Sequence, residues 1–434
     1  MVARILNRFR SSDFSRNTVT IFLGTVSAQF VLIAATPWLS RIYDPAAFGL
    51  SGVFMSAAYI LQYLMTLRYS FAIMIGEDAE RSFRVVQLCL WLCLGFTALL
   101  TGLFALALEP LLRWLNLAEL GHYFLLLPLF AGVLAVNETL FAWLNRNKAY
   151  SYIAVNRILT TGTTLLVTVG WGYAIDRSAM GLISGTLAGQ ALGSLLLLYR
   201  SRRFGRFSLR FNGGQLRATA HQYRSFAIYT LPSEMINVLT NQLPIFMLRR
   251  YMPGAEPAGY YNMTNRVLGM PLTFVSASIS EVFRQRAADD YRIHGSCRPI
   301  FLKTLGMLAA VGIVPFLVLF FFGPELFAFV LGAEWREAGE YARLLAPLFC
   351  LKFIVSPMTI TFFIAQKQRM DFFIHLAMLL LTAAPFYIGF LVYHDHRASL
   401  LGYSLSYSLI YLPYLYLSLK FATDRRRAAP AADP

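Results

Sequence analysis

Charge is scarce in this chain. Asp, Glu, Lys and Arg make up 14% of its 434 residues, against about 25% in an ordinary soluble domain. Acidic residues are the scarcer sign, 22 against 38 Lys and Arg. Long polar stretches are also lacking. No connection between apolar stretches exceeds about 25 residues, so no loop reaches the size of a folding domain. Cysteine is confined to Cys89, Cys93, Cys297 and Cys350, and no disulfide framework is implied. Cys89 and Cys93 share a helix face at i, i+4 spacing. With no His or carboxylate nearby in sequence, they are read as small packing residues rather than a metal pair. The segment Met1 to Arg16 has no apolar core and is not a cleavable signal; the first apolar stretch is expected to act as the insertion signal. There is no nucleotide-binding loop, and neither cofactor nor metal is expected.

What the chain has instead is apolar length. It is 57% hydrophobic, arranged in roughly twelve stretches of about 20 residues each, the length that spans a bilayer core. The spans are predicted at 17–40, 48–75, 85–108, 122–144, 153–175, 179–199, 225–248, 259–283, 300–322, 340–364, 372–393 and 400–420. The fold class follows: an all-α membrane protein of about 12 transmembrane helices. The net charge of +16 raises nucleic-acid binding, but no basic soluble module exists to hold a nucleic acid. Excess Lys and Arg is what cytoplasmic loops of membrane proteins carry. The N-terminus, the even-numbered connections and the C-terminus hold 25 of the 38 basic residues; the odd-numbered connections hold seven. This bias places both termini in the cytoplasm and favours an even number of spans.

The connection Arg200 to Arg224 is the longest, carries seven arginines and turns at Gly213-Gly214. It is read as a basic cytoplasmic linker, 200–224, between an N-terminal six-helix bundle, 1–199, and a C-terminal bundle with its cytoplasmic tail, 225–434. The halves look related. Leu39-Ser40-Arg41-Ile42-Tyr43-Asp44-Pro45 with Phe48-Gly49 parallels Leu248-Arg249-Arg250-Tyr251 with Pro257-Ala258-Gly259-Tyr260. Tyr123 to Pro128 parallels Tyr341 to Pro347. Asn145 to Lys148 parallels Gln366 to Arg369. The offset is about 210 to 220 residues each time. Pseudo-symmetric six-helix halves are a repeat type of transporters, with the site between them near the midplane.

Charges inside the spans are the candidate functional residues, because a buried charge costs at least ~2.5–3.5 kcal/mol on insertion scales. They are Arg68, Arg157, Arg266, Lys303, Arg343 and Lys352, with Glu138, Glu234 and Glu281 opposing them. Lys303, Arg343 and Glu281 lie within a turn of the water boundary, where snorkelling accounts for them. Arg68, Arg266 and Lys352 are deep and are assigned to a hydrated cavity; Arg157 lies one turn in, with both readings open. Glu138 and Glu234 serve either substrate and proton binding or charge compensation for a neighbouring arginine. Glu234, Asn237, Asn241 and Gln242 fall on one helix face; that stripe suits sugar hydroxyls, or interhelical hydrogen bonds. His375 is read as a packing residue. A cavity of net positive sign attracts anions, and Arg pairs with phosphate through its two-pronged donors. The prolines inside the spans, Pro232 and Pro244 among them, remove backbone hydrogen bonds and kink helices.

Three segments then carry a resemblance. The first is Leu39 to Leu50 (LSRIYDPAAFGL), followed by Leu67-Arg68-Tyr69-Ser70-Phe71-Ala72-Ile73. The second is Gly259 to Val282, with Gly259-Tyr260-Tyr261, Asn265-Arg266-Val267, Pro271 and Glu281-Val282. The third is Val330 to Pro347 (VLGAEWREAGEYARLLAP). Together the chain resembles the polysaccharide (O-antigen type) flippases of the multidrug/oligosaccharidyl-lipid/polysaccharide exporter superfamily. The resemblance implies two six-helix bundles in a V around a central cavity. It also implies translocation of an undecaprenyl-pyrophosphate-linked oligosaccharide across the bacterial inner membrane, without enzymatic chemistry. It covers Arg68 and Arg266 but not Lys352, which rests on its depth alone. Ser70 departs from the family, which often has a carboxylate after the Arg-Tyr pair, and puts a local ion pair there in doubt. The expected partners are the lipid-linked oligosaccharide, membrane lipids and other polysaccharide-assembly proteins. Competing readings are a small-molecule exporter of the same superfamily, which calls for dominant interior carboxylates, and a membrane glycan polymerase or ligase. A polymerase needs a large outer loop, and the outer loops are short; His394-Asp395-His396-Arg397 has metal-like composition but is read as a surface turn. A purely structural scaffold is disfavoured by the buried charges.

Overall fold

The computed structural model describes residues 29–76, 78–204, 212–365, 367–393 and 395–423. The basic N-terminal segment, the first part of the first span, residues 205–211 of the linker, Gln366, His394 and the tail from 424 lie outside the described residues, as does the side chain of Glu281. Twelve long helical rods run through the described residues: α1 (29–42), α2 (Pro45–Thr66), α3 (Ala79–Leu106), α4 (Leu126–Arg146), α5 (Tyr150–Ala174) and α6 (Ala179–Ser201). They continue with α7 (Leu231–Tyr251), α8 (Glu256–Thr264, then Met270–His294), α9 (Arg298–Leu331), α10 (Arg336–Val355, extended by Ile360–Ile364), α11 (Gln368–Ile388) and α12 (His396–Thr423). No strand occurs among the described residues. Eight of the rods are long and apolar enough to cross a bilayer by that measure alone. Their outward faces are apolar too: on α3 Leu99 is 55% exposed, and on α9 Phe321 is 64% exposed. Apolar rows of this length do not stand in water; they face lipid, and the chain is a multi-pass membrane protein.

Contacts divide the chain into two compact units, Met1–Leu239 and Thr240–Pro434. The division falls inside α7, so the first turns of that helix group with the first unit.

In the first unit α4 is the central rod, touching α2, α3 and α6. Phe130, Ala131, Ala135 and Leu140 on α4 are fully buried, and Phe54 of α2 meets Phe130 edge-on at 5.9 Å. The family-like segment at the α1–α2 corner has a local physical role. Asp44 caps α2 by accepting from Ala47 N at 2.7 Å, and Pro45 starts the helix without wasting a donor. Tyr43 donates its hydroxyl to the Thr168 carbonyl of α5 at 2.6 Å. The connection between α5 and α6 is closed by Asp176, which accepts from Ser178 Oγ at 2.7 Å and from Trp171 Nε1 at 3.0 Å. The Ser178 hydrogen bonds hold its carboxyl below the usual carboxylate range.

Helices α5 and α6 form a close zipper. Gly185, Gly189 and Gly193 sit at four-residue spacing on α6, facing Thr168, Thr164 and Thr160 of α5. A Cβ at Gly189 would lie 2.6 Å from the Thr160 carbonyl oxygen. In lipid, where apolar surface gives no association energy, such small-residue contact is what joins helices.

In the second unit α10 and α12 are central: α9 packs along α10, and α10 and α11 along α12. The second and third family-like segments meet here. The Tyr260 ring packs edge-on against Trp335 at 6.3 Å and Tyr341 at 5.9 Å, and Thr264 Oγ1 donates to the Ala338 carbonyl at 2.9 Å. Cys89 and Cys93, back in the first unit, are buried in apolar clusters as small packing residues.

Two features depart from the sequence pattern. The single span predicted over 48–75 is broken: α2 ends at Thr66, Leu67 and Arg68 both take positive φ, at 46° and 59°, and a 3-10 turn leads into the short helix Ala72–Ile75. Hydropathy continues across this corner, so the break is invisible to it. Secondly, π turns interrupt the helical runs at Phe226–Thr230, Asn265–Gly269 and Gly389–Tyr393.

Replacing Gly189 with Ala is expected to lower stability by about 1–3 kcal/mol through overpacking. Gly95→Ala on α3, where nothing lies within 4 Å of the added carbon, is expected to be neutral or slightly stabilising, since Ala is the better helix former by up to about 1 kcal/mol. Thermal melts of the two purified variants in one detergent check this; equal melting temperatures would remove the zipper as a determinant of the first unit.

Candidate functional site

The corner after α2 presents Arg68. A non-glycine residue at positive φ is uncommon and two in succession more so; such strain clusters where the surrounding structure over-determines a functional geometry. What holds the corner is Arg146, at the end of α4. Its guanidinium donates to the carbonyls of Ile73, Met74, Gly76 and Asp78, at 3.3, 3.0, 2.7 and 3.3 Å. Tyr69 adds a hydroxyl bond of 3.2 Å to the Ala220 carbonyl on the linker helix Gly213–Gln222.

The Arg68 side chain is 8% exposed. Its Nη1 donates to Glu138 Oε1 of α4 at 2.9 Å, and its Nη2 lies 3.7 Å from Glu234 Oε2 on the first turn of α7. The guanidinium plane is flanked by Tyr63 and Phe71, each with its ring centroid 4.3 Å from Cζ. Stacking on two rings and pairing with two carboxylates suit Arg, whose plane offers both faces and a donor edge. Glu138 accepts from two further donors: Gln62 Nε2 donates to its Oε2 at 2.8 Å and Ser70 Oγ to its Oε1 at 2.9 Å. The departure at Ser70 thus acquires a meaning. The serine does not pair with Arg68 but donates to the carboxylate that does, and that carboxylate comes from α4.

Two negative charges and one positive charge meet at this point. Glu138 and Glu234 both face Arg68, a placement compatible with either of the roles open to them in the sequence. The partners are unequal: Glu138 holds Arg68 at hydrogen-bond distance, whereas Glu234 is longer in contact and one-third exposed.

The other predicted residues are more dispersed. Arg157 on α5 is half-buried and stacks on Phe141 of α4, with Cζ 5.2 Å from the ring centroid; it has no ion pair among the described residues. Asn237 is on the exposed side of α7. In the second unit Lys352, near the end of α10, donates its Nζ to Asn241 Oδ1 of α7 at 2.8 Å. An amide is its hydrogen-bond partner, and no carboxylate lies in ion-pair reach of it among the described residues. Arg266 is half-buried inside the π turn Asn265–Gly269. At the water boundary Arg343 pairs with Glu340 at 3.1 Å and is half exposed, and Lys303 is exposed. Arg397 makes a forked pair with Glu337, Nε donating to Oε1 at 2.7 Å and Nη2 to Oε2. Among the described residues no group of His, Cys, Asp and Glu suits a metal ion.

Sequence reasoning missed Arg146 as the clamp on the Arg68 corner, counting it only as a loop charge. It also missed Gln62, whose polarity is too common to stand out, and marked Ser70 only as a departure from the family, not as a donor to Glu138. A row of tyrosines on α12, Tyr403, Tyr407, Tyr411 and Tyr414, is buried; its i, i+4, i+8, i+11 spacing was visible, but tyrosine counts as apolar in a span search.

Arg68→Gln is expected to cost about 3–5 kcal/mol, the penalty for leaving buried carboxylates unpaired. Adding Glu138→Gln should recover a large part of it, as coupled pairs do. Thermal melts of the two single variants and the double variant test the pair; strictly additive losses would dismiss it.

Comparison with solved structures places this arrangement of helices in a known fold. A multidrug resistance MATE family transporter of the MOP superfamily, in an inward-facing conformation, superposes with a TM-score of 0.71 at 14% identity, covering 92% of this chain and 98% of that one. The lipid II flippase MurJ, in an inward closed conformation, gives 0.72 at 13% identity, covering 93% and 87%. A MATE protein in complex with MaL6 gives 0.61 at 14%, covering 94% and 96%. At these identities the likeness is one of fold. Among curated proteins no sequence matches significantly. The sequence profile of the family described as "Polysaccharide biosynthesis protein" matches residues 38–340. That stretch contains the Arg68 corner, its two carboxylates, the second segment and the first part of the third, and the chain belongs to that family.

Proposed function

We propose that this protein translocates a polyprenyl-pyrophosphate-linked oligosaccharide across the bacterial inner membrane by alternating access, for polysaccharide biosynthesis. The observation that carries the proposal is Arg68: a buried guanidinium, aimed by a strained corner, with one firm and one loose carboxylate. A phosphate group competes for the same donor edge. Glu234, the longer contact, is the partner it displaces, while Glu138 keeps the guanidinium in place. Lys352, whose hydrogen-bond partner is an amide, supplies a second cation. Arg157 and Arg266 complete the basic set. Asn237 and Asn241 offer amides for sugar hydroxyls, with Glu138 and Glu234 tuning the charge. No step requires bond cleavage, so the protein is not an enzyme in this account. Membership of a polysaccharide biosynthesis family supports a glycan cargo, and the likeness to a lipid II flippase supports a lipid-borne one. Both termini lie in the cytoplasm, and the chain is organised as an N-terminal bundle, a basic linker and a C-terminal bundle.

A second reading has one observation in its favour. The Arg68 cluster holds two carboxylates to one guanidinium, and a net negative site suits a cation, as in a small-molecule exporter of the same superfamily.

The two readings separate in cells. Under the flippase reading, Lys352→Ala and Glu234→Gln change surface glycan in opposite directions: loss of about tenfold or more for the former, from a lost charge-assisted contact of about 1.5–3 kcal/mol, and normal or raised export for the latter. Protein levels stay constant and cationic drug sensitivity is unaltered. Normal glycan in Lys352→Ala together with drug hypersensitivity in Glu234→Gln would establish the exporter instead.

A further inference from the structure

The end of the first unit that meets the linker is rich in arginine and poor in acid. Between Thr139 and Ser233 the chain holds eleven Lys and Arg but one carboxylate, Asp176, and that one closes the opposite end of α5. Elsewhere arginines stand against carboxylates: Arg84 Nη2 is 3.0 Å from Glu80, Arg113 Nη2 3.0 Å from Glu109 and Arg336 Nη2 2.7 Å from Glu325. At the end of α6 they stand against tyrosines. The Arg200 Cζ lies 4.9 Å from the ring centroid of Tyr152 on α5 and 5.7 Å from that of Tyr199. Arg203 donates from Nη1 to the Tyr152 hydroxyl at 3.2 Å. That hydroxyl has no acceptor for its own proton among the described residues, and Arg200, Arg202 and Arg203 have no ion pair among them. A ring face holds a guanidinium in place without cancelling its charge.

The group is anchored from below. Tyr152 meets Phe204 edge-on at 6.3 Å. Phe204 packs against the apolar cluster that joins α4, α5 and α6 around Leu144, Ile153 and Leu197. It also packs against the cluster that carries Leu216 and Ala220 of the linker helix. Arg202 and Arg203 are exposed, and Arg200 is half-buried. Toward the middle of the same two helices apolar side chains turn outward: Leu195 is 63% and Tyr199 59% exposed on α6, and Val155 and Leu159 are exposed on α5. Membrane insertion accounts for an excess of arginine on one side. It does not ask that two arginines converge on one tyrosine, nor that carboxylates be missing over so long a stretch. A soluble anion would use the arginines alone. The exposed apolar side chains beside them call for a ligand that is anionic at one end and apolar along the rest.

We propose that the start of α5 and the end of α6 bind one anionic glycerophospholipid of the surrounding bilayer. Its phosphate lies between Arg200 and Arg203, which offer paired donors, and accepts from the Tyr152 hydroxyl. Arg202 adds a third positive charge at the headgroup. The acyl chains run along Leu195, Tyr199, Val155 and Leu159. A zwitterionic lipid brings its own cation to a place that already holds three, so the site discriminates by headgroup charge. Because Phe204 touches both the α5–α6 end and the cluster under the linker helix, the bound lipid steadies the start of the linker. The inference rests on no part of the transport reading.

The test titrates the full chain, in a neutral detergent, with dioleoyl phosphatidylglycerol, with dioleoyl phosphatidylcholine or with sodium phosphate, and counts bound lipid by native mass spectrometry. Wild type is expected to retain phosphatidylglycerol at concentrations where phosphatidylcholine is lost, and millimolar phosphate should not displace it. Arg200→Gln with Arg203→Gln should weaken retention by about tenfold or more, through two lost charge-assisted contacts. Tyr152→Phe, which keeps the ring and its stacking, should weaken it by about threefold. Arg286→Gln with Arg292→Gln, an equal loss of charge from exposed arginines of the second unit, should leave it unchanged. Melting temperatures without lipid separate misfolding from lost binding; if the Arg200 and Arg203 variant melts early, Tyr152→Phe and the headgroup comparison decide. Equal retention of the two lipids overturns the proposal, as does wild-type retention in the Arg200 and Arg203 variant or in Tyr152→Phe. An equal loss in the Arg286 and Arg292 variant reduces the effect to bulk charge, and displacement by phosphate makes the ligand a free anion; either result overturns it too.

Discussion

Arg68 can exist where it does only because two carboxylates and two aromatic rings receive it. An isolated guanidinium at that depth would cost more than a helix bundle gains from packing one side chain. The neighbourhood is built around that constraint. Glu138 comes from the central rod of its unit, Glu234 from the first turn of α7, and the rings of Tyr63 and Phe71 from either side of the corner. Arg146 then fixes the chain beyond the corner through four carbonyls. Remove the charge and none of these placements has a reason. Keep it, and the positive φ at Leu67 and Arg68 is the local strain that the ion pairs sustain.

The two units solve the problem of a buried cation differently. The first neutralises Arg68 with acid, leaving the cluster at net negative charge. The second leaves Lys352 with an amide, which orients the ammonium without cancelling it. Under the proposed function, an anion meets competition at the first and, among the described residues, none from carboxylates at the second. Under that same reading, this difference provides one place where binding must displace something and one where it need not. Coupling of a cargo to a change of state requires unequal interactions of this kind.

Much of the architecture was legible because lipid imposes a simple rule: about twenty apolar residues per crossing. The rods follow the predicted spans to within a few residues in most cases. Where they do not, the cause is local. The Leu67–Arg68 corner has neither Gly nor Asn to announce its backbone, so hydropathy runs through it. The π turns leave no mark in composition. Of the candidate site, depth alone picked out Arg68 and Lys352, and the alternation of roles for Glu138 and Glu234 was foreseeable as a pair of options. Their contacts were not, since 70 and 166 positions of separation carry no signal in one sequence. The tyrosine row of α12 was in plain view and was absorbed into the apolar count.

The wide turn at Asn265–Gly269 has a mechanical consequence. It stores one residue more than an α turn of the same rise. Handing that residue to the segment beyond it would swing the intervening side chains by about 100° about the axis, one residue's share of an α turn, while the rod stays intact. Arg266 is inside this turn, so its direction can be reset by moving a bulge along a helix, with no hinge opened and no helix melted.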